Sequence, residues 1–265
     1  MAKRDSADED RSEALRRRII EWSESRHPPD RRQRQTVWER IEGSTRGPRP
    51  ALTHDQIAKA AVEIADAEGL SAVSMRRLAD RLGVATMSLY RYVSGKNDIY
   101  ELMIDVAYGE TTVPDGGWRV VATASARQMR ALILRHPWLA QVYSLAPAAL
   151  TPTTTAGIEQ ALTSIDGLGL DVDSMMAVFG TVNAFARGAV FAEVAQREGL
   201  QRQGWTSDED ARMAFIPWVR WLVGTGRYPM LTRYIIDGSN EDDAEWQFEF
   251  GLECVLDGIA ARLGI

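Results

Sequence analysis

The run SMRRLADRLGVATMSLYRYV, residues 74–93, restricts the possible fold more than any other part of the chain. Ser74 is suited to cap a short helix, and Gly83 can adopt the left-handed conformation that ends it. Ala79 is small where a second helix would cross the first, and Leu89 is an apolar residue that would hold the two together. The spacing predicts a helix-turn-helix.

The second helix of this pair is expected from about residue 86 to 92, and its outward side chains suit the grooves of DNA. Hydroxyl groups bond base edges or phosphates, a methionine contacts a thymine methyl group, and an arginine bonds guanine or phosphate. The candidate contact residues are Thr86, Met87, Ser88, Arg91 and Tyr92. An ordinary hairpin in a protein core is the alternative, but it would not collect cations at one turn as this run does, with Arg76, Arg77, Arg81, Arg91 and Lys96.

The rest of the chain from Leu52 onward shows helical periodicity. Ile57, Ala61 and Ile64 recur at helical spacing before Gly69, and a fourth helix is expected from Lys96 to about residue 109. Seven further helices are expected at about 118–135, 138–145, 153–166, 171–199, 208–223, 229–237 and 242–264. No segment alternates as a strand does, so the predicted fold class is all-α.

The first fifty residues are polar and rich in arginine, and they end in GSTRGPRP. We expect residues 1–50 to be a flexible extension with marginal helix at most. Arg46 and Arg49 lie just ahead of the first helix, and a Gly/Pro-rich strand with arginines suits a narrow minor groove of DNA. A solvated tail without DNA contact is the alternative.

Charge is distributed unevenly along the chain. Residues 1–100 carry 19 Lys and Arg against 16 Asp and Glu, whereas residues 101–265 carry 12 against 21. A basic N-terminal part on an acidic body is typical of a modular protein whose first part meets phosphate. The start, MAKRDSADED, has no apolar segment behind it, so we expect no secretory signal and a cytoplasmic protein.

The run from about Ala58 through Tyr108 resembles the N-terminal domain of the TetR family of bacterial transcriptional regulators. The resemblance lies in EGL, SMRRLADRLGV, LYRYV and GKNDIYELM, in this order and spacing. It implies an operator-binding domain over residues 51–110, in which Tyr90 and Lys96 contact phosphates and Arg76 reaches the groove or the backbone. Thr86, Met87 and Ser88 would face bases, and we include Ser74 at the helix start among the DNA-binding residues.

Residues 111–265 resemble, more loosely, the C-terminal domain of the tetracycline-repressor type. The supporting segments are DGGW, LRHPWLA, the long helix after DVDSMM and the closing FEFGLECVLDGI. The resemblance implies an all-helical domain that binds a small-molecule effector and forms a homodimer.

The segment Met175–Ala192 is apolar on almost every side. A membrane span is opposed by Asn183 and Arg187 inside it and by acidic residues at both ends, so we expect a helix covered by protein. Its small residues Gly180, Ala184 and Gly188 favour close approach of another helix. We expect a four-helix dimer interface between this helix and a ridge of the last helix, formed by Phe248, Leu252, Val255, Ile259 and Leu263; burial within one chain is the alternative.

Cys254, the single cysteine, cannot form an intramolecular disulfide, and we expect it to be a packing residue of the buried last helix.

Polar residues inside apolar helices mark the expected effector pocket. The candidate polar anchors are His136, Trp138, Tyr143, Asn183, Arg187 and Glu193, and the candidate apolar lining is Met175, Met176, Phe179, Phe185 and Phe191. In tetracycline-binding relatives a histidine at the position of His136 ligates magnesium. Here Ala192 stands where those proteins carry an acidic residue, and Glu193 is one position off, so we expect no metal and no cofactor. A large, fairly apolar ligand such as an antibiotic fits this composition.

An enzyme is the main alternative class. The chain has no P-loop, GxSxG, HExxH or paired-cysteine motif, and its three histidines lie in unrelated segments. A purely architectural DNA-binding protein would leave the acidic domain unexplained. We therefore expect a ligand-responsive regulator, a repressor that binds a palindromic operator as a dimer.

Overall fold

The computed structural model describes residues 13–21, 36–43, 52–145, 150–205, 208–240 and 243–265. Every regular element within these ranges is helical, which confirms the all-α prediction. The chain forms two compact units, Met1–Ala51 and Leu52–Ile265. In the first unit, α1 covers residues 13–21 and α2 covers Val37–Gly43, where Thr36 and Glu39 cap each other.

The second unit contains eleven α-helices within the described residues, and their positions agree with the sequence prediction to within a few residues. They are α3 His54–Glu68, α4 Met75–Leu82, α5 Thr86–Leu89, α6 Lys96–Tyr108, α7 Trp118–Arg135, α8 Trp138–Leu145, α9 Pro152–Ile165, α10 Val172–Arg202, α11 Asp208–Thr225, α12 Pro229–Asp237 and α13 Ala244–Leu263. Helix α5 ends three residues earlier than predicted, because the Tyr92 amide bonds the Leu89 carbonyl and tightens the chain into a turn.

The helix-turn-helix forms as the sequence predicts. The Ser74 hydroxyl accepts a hydrogen bond from the Arg77 amide at 3.2 Å and caps α4. Gly83 ends α4 with φ +66°, a left-handed conformation that costs a residue with a side chain more than glycine. Leu78 and Leu89 have no exposed surface, and they join the pair to the core that α3 and α6 supply.

Helices α7, α10 and α13 form the core of the C-terminal part. Val182 and Ala186 of α10 are buried against Leu252 and Leu256 of α13. Gly251 allows this close approach, because a Cβ atom at that position would lie 2.6 Å from the ring of Phe185. The two helices are therefore held together within one chain by tight packing.

This packing corrects the expected dimer ridge on α13. Phe248, Leu252 and Ile259 are buried in the core of their own chain. The exposed side of α13 instead carries Phe250 and Cys254, so Cys254 is not the buried packing residue that we expected. An apolar stripe shows that a helix face is covered, but not which chain covers it.

Helix α10 is the one helix of the described residues that is long and apolar enough to cross a membrane by length and composition. Buried residues recur on its core face, at Val178, Val182, Ala186, Val190 and Val194. The helix packs against α7, α9 and α13. The single chain therefore buries one face of α10 and, contrary to our expectation, does not cover the helix on every side.

Leu89→Ala should lower the free energy of unfolding by about 2–5 kcal/mol, because it leaves a cavity beneath α5 that its neighbours cannot fill. Met87→Ala, two residues earlier on the same helix, should change it by less than about 0.5 kcal/mol, because the Met87 side chain is 75% exposed. Urea titrations followed by circular dichroism compare the two variants. Equal losses would contradict the assigned orientation of α5.

Candidate DNA-binding face and ligand cavity

The outer surface of α5 and the following turn carries most of the predicted DNA-binding residues. Met87 and Tyr90 are 75% and 50% exposed, and Arg91 is exposed as well. Thr86 and Ser88 are half-buried beside them. These five side chains form one surface, which we call the α5 face, and it combines an apolar tip with polar and cationic groups that groove contacts require.

Tyr92 is placed differently from the expected outward position. It is half-buried, its backbone carbonyl lies 3.1 Å from His54 Nε2, and the two rings meet edge to face with centroids 5.6 Å apart. Tyr92 therefore joins the turn after α5 to the start of α3. The expected contacts of Arg46 and Arg49 fall outside the described residues.

The five cations around the turn divide into two groups. Arg77 and Arg81 pair with Glu68 and Glu63 of α3, each at 2.5 Å. Within the described part of the chain, the exposed residues Arg76, Arg91 and Lys96 have no carboxylate within 4.0 Å. Cations that no protein group neutralises remain available to phosphates.

A cavity of about 490 Å³ lies in the C-terminal part, between the end of α6 and helices α7 to α10. Its size suits a drug-sized molecule. The described residues that line it are Tyr108, Thr111, Thr112, Val113, Ser125, Gln128, Met129, Tyr143, Leu150, Thr153, Thr154, Ala156, Gly157, Ile158, Gln160, Phe179, Gly180, Asn183 and Arg187.

Two tyrosines and an arginine form the polar end of this cavity. The hydroxyl groups of Tyr108 and Tyr143 are hydrogen-bonded to each other, and the Arg187 guanidinium lies 5.6 Å from the centroid of the Tyr143 ring. Burial raises the pKa of both phenols, an effect that the nearby charge of Arg187 opposes without cancelling it. Both tyrosines therefore keep their protons at neutral pH.

The side-chain amides of the cavity bond to the backbone around it. Gln160 donates to the Val113 carbonyl at 3.0 Å, and Asn183 donates to the Phe179 carbonyl at 2.9 Å. Gln128 donates to the Thr112 carbonyl, and its own carbonyl oxygen is buried without a partner among the described residues. The bonds from Gln128 and Gln160 fix the segment after α6 against the wall of the cavity.

Four of the predicted ligand-binding residues line this cavity together: Tyr143, Phe179, Asn183 and Arg187. Met175 and Met176 do not, because Met175 belongs to the core between α10 and α13, and Met176 is 44% exposed outside the cavity. Phe185, which packs against the same core, and Phe191, which packs beside Tyr143, are not lining residues either. Glu193 also lies elsewhere, where it pairs with Arg130 at 3.0 Å and with Arg197 at 2.6 Å. That pairing borders a separate, charged cavity of about 680 Å³.

His136 and Trp138 lie outside the cavity as well, at a junction with the DNA-binding helices. His136 Nδ1 and Trp138 Nε1 each lie 2.7 Å from the same oxygen of Asp66 on α3. His136 Nε2 lies 3.4 Å from Glu110, which also binds Arg135 at 2.7 Å. Burial raises the pKa of Glu110, but the hydrogen bonds from Arg135 and His136 outweigh it and hold that pKa below its usual value.

The position of His136 therefore differs from that of a magnesium ligand in the ligand pocket, because both ring nitrogens face carboxylates at the junction. Among the described residues, no group of three or more His, Cys, Asp or Glu side chains is arranged to hold a metal ion.

Sequence reasoning missed the part of the cavity wall that α6 and α9 supply. Tyr108 closes α6, and Thr153, Thr154 and Gly157 lie in the first turns of α9. The Asp105 carboxylate accepts a hydrogen bond from the Thr153 amide at 2.8 Å and fixes α9 against α6. The detectable signal was a polar aromatic residue, Tyr108, at the end of an otherwise apolar helix face.

Comparison with known proteins gives matches over almost the whole of the second unit. The family model described as bacterial regulatory proteins of the tetR family matches residues 57–103. The model described as the tetracyclin repressor-like C-terminal domain matches residues 111–263.

Individual relatives agree with these matches. The HTH-type transcriptional repressor DrrR1 of Streptomyces coeruleorubidus is 40% identical over 227 residues, which are 84% of this chain and 83% of the relative. The class A tetracycline repressor protein from transposon 1721 of Escherichia coli is 25% identical, and the match covers 80% of this chain and 92% of the relative. The crystal structure of ActR from Streptomyces coelicolor in complex with actinorhodin superposes with a TM-score of 0.67 at 27% identity, over 80% of this chain and 96% of that one.

Proposed function

The chain belongs to the TetR family of DNA-binding transcriptional regulators, and we propose that it is a repressor that binds a palindromic operator as a homodimer. We propose further that it releases the operator when a small molecule enters the cavity at Arg187. As a member of this family it is a regulator and not an enzyme. One observation carries the proposal: the same chain joins a helix-turn-helix, which has cations without a carboxylate partner among the described residues, to a largely uncharged cavity through the polar contacts of Asp66 and Tyr108. Because its proposed target is DNA, its proposed place of action is the cytoplasm.

Operator binding would divide between base contacts and phosphate contacts. Met87 and Ser88 of the α5 face would contact base edges. Tyr90 of the same face, together with Arg76 and Lys96, would contact phosphates. DrrR1 carries the description of a transcriptional repressor, which favours repression over activation for this chain.

Helices α10 and α13 would form the dimer interface with faces that the single chain leaves exposed. Gly180, Ala184 and Gly188 are exposed on α10, and Gly180 also lines the cavity. A Cβ atom at Gly180 or Gly188 would meet no atom of the chain within 4 Å, in contrast to Gly251, so packing within the chain does not require these glycines. Small residues on an exposed helix face fit the close approach of a second copy.

Ligand entry would act on the DNA-binding helices through two contacts. Tyr108 is the last residue of α6 and lines the cavity, where it bonds Tyr143 of α8. The same helix α8 begins at Trp138, whose indole binds Asp66 of α3. A ligand that separates the tyrosine pair would displace α8, and with it the contact to α3. The actinorhodin complex of ActR supports a polycyclic ligand for such a cavity.

Arg76→Ala and Lys96→Ala should each weaken operator binding and lower the slope of log affinity against log salt by about one, because each removes one phosphate contact. Arg77→Ala is the matched control, since Arg77 is adjacent to Arg76 but is paired with Glu68. Fluorescence anisotropy with DNA from the region beside the protein's own gene, over a salt series, gives both quantities. An equal change of slope in Arg77→Ala would refute the division of the cations.

Ala184→Glu should convert the dimer to a monomer that is still folded. Ala184 is exposed in the single chain, so the carboxylate is unfavourable only when a second copy buries it. Gln196→Glu places the same charge on another exposed side of α10 and should remain dimeric. Sedimentation velocity distinguishes the two, and a dimeric Ala184→Glu protein would place the interface elsewhere.

Asp66→Asn should weaken the coupling between ligand and operator. Asparagine removes the charge that strengthens the bonds from His136 and Trp138, a loss of about 1.5–3 kcal/mol at the junction. We expect operator affinity to change little, and the actinorhodin concentration for half-release of the operator to change about tenfold or more. Asp173→Asn, which removes an exposed carboxylate in the first turn of α10, is the control. An unchanged release curve for Asp66→Asn would show that the junction does not transmit the signal.

A further inference from the structure

Arg187 is the single charged residue among the described residues that line the cavity. The remaining lining consists of hydroxyl, amide, aromatic and aliphatic side chains, without a carboxylate. A guanidinium group stays protonated in proteins, so one end of an otherwise neutral cavity carries a fixed positive charge.

The charge of Arg187 has no carboxylate within 4.0 Å in the described part of the chain, and Arg130 of the same bundle shows the contrast. Arg130 is 16% exposed, lies 5.4 Å from the centre of the Phe248 ring and binds both oxygens of Glu193, which is 10% exposed. Arg187 likewise lies against an aromatic ring, that of Tyr143, but lacks the acidic partner. A partly buried charge without a counter-ion is unfavourable, and a ligand can supply that counter-ion.

The tyrosine pair adds a hydrogen-bond donor at the same end. Since Tyr108 and Tyr143 bond to each other and both keep their protons, one hydroxyl hydrogen is used within the pair and the other remains free to donate. The Arg187 guanidinium lies 5.6 Å from the centroid of the Tyr143 ring, so the donor pair and the charge occupy the same end of the cavity. Donors and a positive charge together favour an anionic oxygen.

We propose that the cavity selects a largely apolar, polycyclic ligand that carries one acidic group, and that Arg187 binds this group as its counter-ion. The inference rests on the proposed function, in which this cavity is the effector site. A cationic ligand is disfavoured, because the described lining offers no carboxylate to receive it. A neutral ligand would leave the positive charge enclosed without a partner.

The test compares anthraquinone-2-carboxylate with anthraquinone-2-carboxamide, which share ring system and shape and differ in charge. Isothermal titration calorimetry with the full chain at pH 7 should give at least tenfold tighter binding of the carboxylate. Arg187→Gln should bring the ratio of the two affinities close to one, whereas Arg187→Lys should retain part of the preference. Arg197→Gln removes a charge that is paired with Glu193 outside this cavity and should keep the full preference.

Equal binding of both probes by the unmodified protein would overturn the proposal. A preference for the carboxylate that persists in the Arg187→Gln protein would also overturn it, provided that thermal melting shows this variant to be folded. Binding of neither probe at millimolar concentration would also overturn it. Operator release is measured separately by anisotropy. A preference for the carboxylate that depends on Arg187, without release of the operator, would support this inference and reject the proposed function. Operator release by both probes, bound with equal affinity, would reject the inference alone.

Discussion

The arrangement of the DNA-binding helices and the cavity depends on the hydrogen bonds that the Asp66 carboxylate accepts. It belongs to α3 of the DNA-binding helices, and one of its oxygens accepts hydrogen bonds from both His136 and Trp138 at 2.7 Å. His136 is almost fully buried, so its ring needs polar partners, and Asp66 and Glu110 supply them. The junction therefore fixes where the helix-turn-helix lies relative to the cavity.

Charge pairing separates the cations that join helices from those to which we propose a binding role. Arg77 and Arg130 have carboxylate partners on neighbouring helices, and each pair joins two elements of the fold. Arg76 lies beside the α5 face and Arg187 lines the cavity, and neither has a carboxylate partner within the described ranges. Sequence alone does not separate these groups, because the partners are far apart along the chain.

Helix positions and the DNA-binding motif were predictable because they depend on local signals: periodicity, the Ser74 cap and the Gly83 turn. The cavity was predictable only in part. Asn183 and Arg187 stood out as polar residues in an apolar helix, whereas Met175 differs from a lining residue only in the direction it faces on α10. The predicted position of His136 in the cavity was wrong, because the chain turns at the end of α7 and directs the His136 ring toward α3. That direction depends on packing between segments that are distant in sequence.

Tyr108 shows why the division between residues 51–110 and 111–265 is not a mechanical boundary. This residue ends a helix of the DNA-binding part, yet its hydroxyl group forms part of the cavity wall. Residues Leu52–Ile265 accordingly form one compact unit. A ligand at Arg187 would then touch α6 directly, so the signal would require no long path through the bundle. The anion that we propose as the counter-ion of Arg187 would also bond to the tyrosine pair that holds α6 to α8.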